Sequence, residues 1–211
     1  MAKVSLKPGT MLNPVPPVMV SCGNGDETNV LTVAWTGIMN SEPPMCYVSV
    51  RKSRHSHHII KESGEYVINL VNTKLVRACD FVGVRSGAQI DKWKEAKLTK
   101  CEADIVKAPM IEESPLNLEC KVVNILEYGS HDVFIGEIVA VHVDEELFDK
   151  NGRVCLEKAD LVAYNHGMYM PLQNKVLGTF GFSVMKPKTA KRKAAERRNA
   201  GRMNQKKKTS K

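Results

Sequence analysis

The stretch Asn29–Pro44, NVLTVAWTGIMNSEPP, begins as a β-strand and ends at a Pro-Pro corner. In its first half, hydroxyl and aromatic side chains stand close together at Thr32, Trp35 and Thr36. A strand that only packs against a core alternates apolar and polar side chains. This departure from the alternation raises the question of what such an edge holds besides a core.

The segment that follows the corner is rich in anion-binding groups. A second strand, residues 45–50, runs into Ser49–Ser56, SVRKSRHS, with two arginines, a lysine and three serines at a predicted helix start. The free N–H groups and dipole of a helix N-terminus favour an anion, arginine forks onto phosphate oxygens, and serine hydroxyls donate to the others. Taken alone, the segment is better explained by a solvated basic turn with an ordinary Ser cap. The neighbouring strand shifts the balance towards an anion site.

Further along the chain, the clearest element is a hairpin. Apolar residues alternate with polar ones in Leu116–Leu126, which pairs with Val133–Val143 through the connection Tyr128–His131. Strands are also predicted at 18–22, 29–36, 45–50 and 65–70, and helices from a Ser53 cap to Glu62, with Gly64 as the stop, and over Lys74–Val82. These elements predict a mainly β, antiparallel barrel with short helices. The phosphate loops GxGxxG and GxxxxGK do not occur.

The two opening stretches together resemble the flavin-binding half of the flavin reductase-like family, whose fold is an FMN-binding split barrel. Gly64–Leu70 is similar to the family's GEFxVN strand, Tyr128–Glu137 to its GxHxxFxGEV hairpin, and Leu177–Phe180 to its closing strand. The resemblance covers residues 10–183 and is closest to the flavoredoxin-like branch.

The resemblance implies that the first strand lies along the flavin ring and the second delivers groups to the phosphate. Hydroxyls of Thr32 and Thr36 would bond carbonyl or ribityl oxygens, and the small Ala34 would let the backbone approach the ring. Trp35 either covers a ring face or belongs to the core, and Asn69 either contacts the flavin pocket or makes a plain strand-end bond. The expected cofactor-binding residues are Thr32, Val33, Ala34, Trp35, Thr36, Ser49, Val50, Arg51, Arg54, Ser56 and Asn69.

Histidines and two aromatic segments complete the candidates. The resemblance places His131 near the flavin or the nicotinamide, as the one catalytic candidate, and the alternative is a surface turn histidine. His55, His57 and His58 are interpreted as a solvated helix start, because no carboxylate lies close by in sequence, so no metal site is expected. Residues 86–97 are expected to form a mobile loop that leads into a helix and could cover the flavin. Residues 164–169 are expected either near the site or at a dimer interface.

The function that the resemblance implies is an FMN-dependent oxidoreductase. Bound flavin would take a hydride from NAD(P)H and pass electrons to free flavin, ferric iron or a protein. One alternative is a flavoredoxin-type electron carrier without a nicotinamide site, and another is a nucleic-acid-associated binding protein. The family also implies a homodimer.

The charge distribution motivates the last alternative. Residues 186–211 hold twelve Lys/Arg and one acid, Glu196, so the chain's net +8 becomes −3 for residues 1–185. The sequence therefore predicts one domain, residues 1–185, and a basic tail, residues 186–211, that is disordered and binds nucleic acid non-specifically. Six dispersed cysteines are expected to be free thiols, and a cytoplasmic location without membrane attachment is expected because no signal-like or membrane-spanning segment occurs.

Overall fold

The structure is a computed structural model that describes residues 1–25, 27–173, 175–189 and 191–192. The α-helices are α1 (His55–Ser63), α2 (Val76–Val84) and α3 (Lys92–Glu95). The strands are β1 (Val18–Asn24), β2 (Glu27–Val33), β3 (Thr36–Ser41), β4 (Pro44–Arg51), β5 (Glu65–Leu70), β6 (Lys100–Cys101), β7 (Met110–Ile111), β8 (Leu116–Glu127), β9 (His131–Val143), β10 (Val162–Asn165) and β11 (Met168–Pro171).

Seven strands form one antiparallel sheet in the order β2-β1-β5-β8-β9-β4-β3. The predicted hairpin is confirmed as β8 and β9, which pair along their whole length. The inward side chains of the sheet and the buried face of α1 enclose a core that includes Val48, Tyr66 and Phe134. A second cluster lies between β1, β2 and α2. The predicted mainly β, antiparallel split barrel with short helices is confirmed.

Three local predictions differ from the structure. The strand expected over residues 29–36 breaks after Val33 and resumes as β3 at Thr36, which takes residues 34 and 35 out of the regular ladder. The N-cap of α1 is Arg54, with no side-chain cap hydrogen bond, so Ser53 is not the cap. Residues 177–180 form no strand. Gly64, by contrast, ends α1 as predicted, in the left-handed conformation at φ 67° that glycine adopts without strain.

The cysteines are free thiols, as expected. Five of the six are buried and behave as small apolar residues, and Cys101 is partly exposed. Two of them approach each other in the barrel core, where Cys46 Sγ lies 3.5 Å from Cys120 Sγ.

The chain divides into two units, Met1–Leu172 and a second that begins at Gln173. Within the part of the predicted tail that the structure describes, residues 187–189 and 191–192 are helical. The remaining residues, 193–211, lie outside the described residues, so the disordered tail and its boundary at residue 185 stay predictions. Across the described residues, no helix has the length and apolar character needed to cross a membrane.

Candidate functional site

Two neighbouring cavities lie where β2 ends and α1 begins. We name the first, of 430 Å³, the ring cavity after the aromatic rings in its lining: Trp35, His131, Tyr164 and Tyr169. We name the second, of 400 Å³, the phosphate cavity after the basic side chains in its lining, which suit such an anion: Arg51, Arg54, Arg85 and Lys92. The residues that line the ring cavity are Pro17, Leu31, Thr32, Val33, Ala34, Trp35, Ser49, Val50, Arg51, Arg54, Asp80, Gly83, Val84, His131, Tyr164 and Tyr169. The phosphate cavity is lined by Asn29, Leu31, Thr32, Arg51, Ser53, Arg54, His55, Ser56, Val82, Gly83, Arg85, Ser86, Gly87 and Lys92.

The cavities share a wall, which joins them into one candidate site. Leu31 and Thr32 come from β2, Arg51 from the end of β4, Arg54 from the cap of α1, and Gly83 from α2. A Cβ on Gly83 would lie 2.9 Å from Thr32 Cβ, so glycine is needed for α2 to approach β2 this closely. The two arginines therefore stand where a ligand would pass from one cavity to the other.

Ten of the twelve residues proposed from the sequence lie in these walls. Nine of them line the ring cavity, and Ser56 lines the phosphate cavity. Thr36 lines neither, because it lies in β3, where its hydroxyl donates to the Tyr47 carbonyl at 2.6 Å. The Thr32 hydroxyl donates to the Cys79 carbonyl of α2, so its proton is already used and only its lone pairs face a ligand.

Asn69 is the second residue that lies outside both cavities. It is fully buried, its amide donates to the Met19 carbonyl at 2.9 Å, and its side-chain oxygen accepts from the Ile111 amide at 2.9 Å. It also accepts from Asn117 Nδ2 at 2.7 Å. The placement corrects the proposed flavin contact: this side chain ties β5 to β1, β7 and β8.

Trp35 and His131 form an aromatic pair at the ring cavity. Their ring centroids are 4.6 Å apart, and Trp35 is 43% exposed, so Trp35 does not belong to the core. Burial, and then the neighbouring Arg51, lower the pKa of His131 below its usual range, so its imidazole is neutral at pH 7. Ser130 Oγ lies 2.8 Å from its Nδ1. The pair offers an apolar face with one polar edge.

The far wall of the ring cavity was not assigned from the sequence. One flank of α2 contributes Asp80, Gly83 and Val84. The β10–β11 hairpin contributes Tyr164 and Tyr169, whose ring centroids are 5.3 Å apart. The Tyr164 amide donates to the Val15 carbonyl at 2.8 Å, which fixes the hairpin against the N-terminal segment. Of the two placements considered for residues 164–169, this geometry shows the one next to the site.

The phosphate cavity carries positive charge. Its charged lining residues are Arg51, Arg54, Arg85 and Lys92, and none of the described residues that line it is acidic. The first turn of α1 adds backbone N–H groups without a side-chain cap. Ser53, Ser56 and Ser86 add hydroxyls. This donor set suits a phosphate monoester.

Lys92 is the least expected member of this set. It is only 4% exposed, and its ammonium donates to the carbonyls of Val30 and Val82, at 2.8 and 2.7 Å. Burial, followed by the charge of Arg54, lowers the pKa of Lys92 to about 8. The loop at residues 86–97 thus reaches the phosphate cavity through Ser86, Gly87 and Lys92, and none of its residues lines the ring cavity.

The histidines at the start of α1 differ from the expectation of solvated side chains without acidic neighbours. His57 Nε2 lies 2.8 Å from Asp132 Oδ2, and His58 Nε2 lies 3.9 Å from Glu27 Oε1. The interpretation that no carboxylate lies close by was therefore wrong. The sequence could not show this, because Asp132 is 75 residues from His57.

A separate group of potential metal ligands occurs among the described residues at Asp104, Glu119 and His142, whose ligand atoms lie within 4.8 Å of one another. Glu119 is fully buried and accepts from the amides of Asp104, Ile105 and Val106 at 2.7–2.8 Å and from His142 Nε2 at 2.6 Å. Its oxygens are therefore already occupied by protein donors, and the group is part of the framework.

Comparisons with known proteins agree with this site. Residues 10–173 match the flavin reductase like domain family. An uncharacterised protein of Pyrococcus abyssi is 30% identical over 166 residues, which are 79% of this chain and 95% of the relative. The flavoredoxin of Desulfovibrio vulgaris (Miyazaki F) superposes with a TM-score of 0.80 at 31% identity, covering 86% of this chain and all of that one.

A second flavoredoxin, from Methanosarcina acetivorans, superposes with a TM-score of 0.78 at 27% identity, covering 88% of this chain and all of that one. The family match, over residues 10–173, includes every residue that lines the two cavities. The chain belongs to the flavin reductase-like family, in its flavoredoxin branch, and is a flavin-related oxidoreductase.

Proposed function

We propose that the protein binds FMN across the two cavities, with the isoalloxazine in the ring cavity and the phosphate in the phosphate cavity. The proposal rests on one observation: the two cavities share a wall, and one is lined by aromatic groups whereas the other is lined by basic groups. The ring cavity combines Trp35, His131 and two tyrosines with the irregular backbone at residues 34 and 35. The phosphate cavity has only basic residues among its charged groups.

The redox role follows from the cofactor. Bound flavin supplies hydride acceptance and electron transfer, and the protein supplies position and polarity. Arg51 and Arg54 at the shared wall would hold the phosphate end, while Trp35 would cover the ring and exclude water from one face. Neutral His131 would donate or accept one hydrogen bond at the ring edge without adding charge. We propose NAD(P)H as the electron donor and free flavin, ferric iron or a protein as the acceptor.

The first experiment is a flavin titration of the purified protein. We expect bound FMN to quench its fluorescence with saturation at one flavin per chain, and riboflavin to bind more weakly because it lacks the phosphate. Addition of NADH or NADPH under anaerobic conditions should then bleach the absorbance of bound FMN. A protein that binds neither flavin would overturn the proposal.

A second candidate is an electron carrier without a nicotinamide site. The two flavoredoxins among the similar structures favour it. The same bleaching experiment separates the candidates, because a carrier binds FMN but is not reduced by NADH or NADPH. A chemical reductant such as dithionite should bleach the flavin in both cases.

A nucleic-acid-associated role through Lys186–Lys211 is a third candidate, which the charge of that segment motivates. It predicts a colourless protein that does not bind added FMN and binds DNA or RNA in low salt.

We also propose that the protein is located in the cytoplasm.

We also propose a homodimer with flavin sites near the interface. Two points support this proposal. Split barrels of this family form dimers, and β3 exposes two apolar side chains, Ile38 at 70% and Met39 at 51%. Light scattering should give about twice the 23.5 kDa chain mass. A monomer at micromolar concentration with FMN bound would contradict it.

A further inference from the structure

Asp132 is a buried carboxylate just behind the candidate site. It is 1% exposed, lies in β9 directly after His131, and pairs across the sheet with Val50 while His131 pairs with Arg51. Because side chains alternate along a strand, His131 and Asp132 point to opposite faces. His131 lines the ring cavity, and Asp132 does not.

The two oxygens of Asp132 contact residues on either side of the start of α1, one just after β4 and one in the first turn of α1. His57 Nε2 donates to Oδ2 at 2.8 Å, and Lys52 Nζ lies 3.3 Å from Oδ1. Four residues lie between these two contacts along the chain, and all four line the phosphate cavity: Ser53, Arg54, His55 and Ser56. One carboxylate therefore holds both ends of the loop formed by residues 53–56, which supplies four of the ten polar residues that line the cavity.

The contacts of this loop favour a single conformation. The Arg54 amide donates to the Arg51 carbonyl, and the His57 amide donates to the Arg54 carbonyl, both at 2.9 Å. His57 also packs edge-on against the ring of Phe134, with centroids 5.3 Å apart. Burial alone would raise the pKa of Asp132, but the hydrogen bond from His57 and the ion pair with Lys52 lower it below its usual range, so the carboxylate is charged at neutral pH.

We propose that Asp132 is a positioning residue that pre-organises residues 53–56 to receive the phosphate of the flavin. This inference rests on the proposed function. Ordering the loop before the ligand arrives lowers the entropy lost on binding, so the effect should appear in affinity for phosphate-bearing flavin alone.

The chain provides a matched control in a second buried pair of the same chemistry. His142 Nε2 lies 2.6 Å from Glu119 Oε1, and Glu119 is fully buried. Neither residue lines the ring cavity or the phosphate cavity. Removing this charge should destabilise the fold as removing that of Asp132 does, without reaching the loop.

The test compares Asp132→Asn with Glu119→Gln in the full chain, through Kd for FMN, Kd for riboflavin and thermal stability. We expect Asp132→Asn to raise Kd for FMN by about tenfold and Kd for riboflavin by less than about twofold, because riboflavin lacks the phosphate that the loop would receive. Glu119→Gln should lower the melting temperature and leave the ratio of the two Kd values at the wild-type figure. Lys52→Ala, at a residue whose side chain is 47% exposed, removes one tether and leaves the contact between His57 and Asp132 in place. This variant should raise Kd for FMN by about threefold, and it tests the proposal if Asp132→Asn does not fold.

An FMN-to-riboflavin ratio that is unchanged in both Asp132→Asn and Lys52→Ala overturns the inference and leaves the proposed function intact. The same shift of the ratio in Glu119→Gln also overturns it, because the effect would then be a general loss of stability. A wild-type protein that binds no flavin fails at the earlier step and refutes the proposed function itself.

Discussion

The ring cavity and the phosphate cavity are built in different ways. The ring cavity takes Val33, Ala34 and Trp35 from one short motif and Ser49, Val50 and Arg51 from the next strand, so neighbours in sequence remain neighbours in the wall. The phosphate cavity brings the start of α1 together with the end of α2 and the loop that leads to α3. The first depends on local backbone geometry, whereas the second depends on how three elements pack. Comparing FMN with riboflavin, which share the ring but not the phosphate, probes the two cavities separately.

The largest effect is expected for Arg54→Ala, at the shared wall. A hydrogen bond to a charged group contributes about 1.5–3 kcal/mol, which corresponds to roughly 10- to 150-fold in Kd for FMN. Riboflavin should lose less than about twofold. Arg77→Ala, an exposed arginine of α2 that lines neither cavity, is the control and should leave both Kd values unchanged. Equal losses for both flavins would show that Arg54 acts through folding.

Trp35→Ala should affect both flavins alike. An aromatic contact contributes about 0.5–1.5 kcal/mol, so both Kd values should rise by roughly 2- to 12-fold. Fluorescence titration with each flavin measures this directly. A loss confined to FMN would place Trp35 next to the phosphate and invert the assignment of the two cavities.

The pH dependence of FMN affinity should report Lys92. Its pKa of about 8 means that the ammonium is charged at pH 7 and loses its proton as the pH rises through that value. A phosphate prefers the charged form, so Kd for FMN should rise from pH 7 to 9.5. The ammonium already donates to the carbonyls of Val30 and Val82, so at most one N–H remains for the phosphate, and we expect roughly a two- to fivefold rise in Kd. Riboflavin over the same range is the control, and an equal rise for it would contradict this role.

The smallest effect is expected from deleting residues 187–211. Residues that line the two cavities end at Tyr169. FMN and riboflavin affinities should both stay within about twofold, a change below ~0.5 kcal/mol. The deletion should abolish salt-sensitive binding to nucleic acid, as measured by gel shift at two salt concentrations. Loss of FMN by the truncated protein would place the tail over the phosphate.

Much of the ring cavity could be predicted from the sequence because its chemistry is local. The residues from Thr32 to Trp35, at the end of β2 and just after it, and the Ser/Arg residues that end β4 are close in the chain, and strand alternation indicates which of them share a face. Asn69 is the counterexample. An asparagine at a strand end looks the same whether it contacts a ligand or ties strands together, and only the positions of Ile111 and Asn117 show that it ties strands.

What the sequence determined by itself is the antiparallel barrel, its hairpin, and the residues that two short motifs bring to the ring cavity. Periodicity and turn chemistry act over a few residues, so they can be read without the fold. What only the tertiary structure decided is the phosphate cavity, with Arg85 and Lys92, and the clamp of Asp132 on Lys52 and His57. These groups are brought together by helix packing and sheet register across as many as 80 residues, from Lys52 to Asp132. No local sequence pattern predicts these contacts, because a buried charge is stabilised by partners that are distant in the chain and not by its neighbours in sequence.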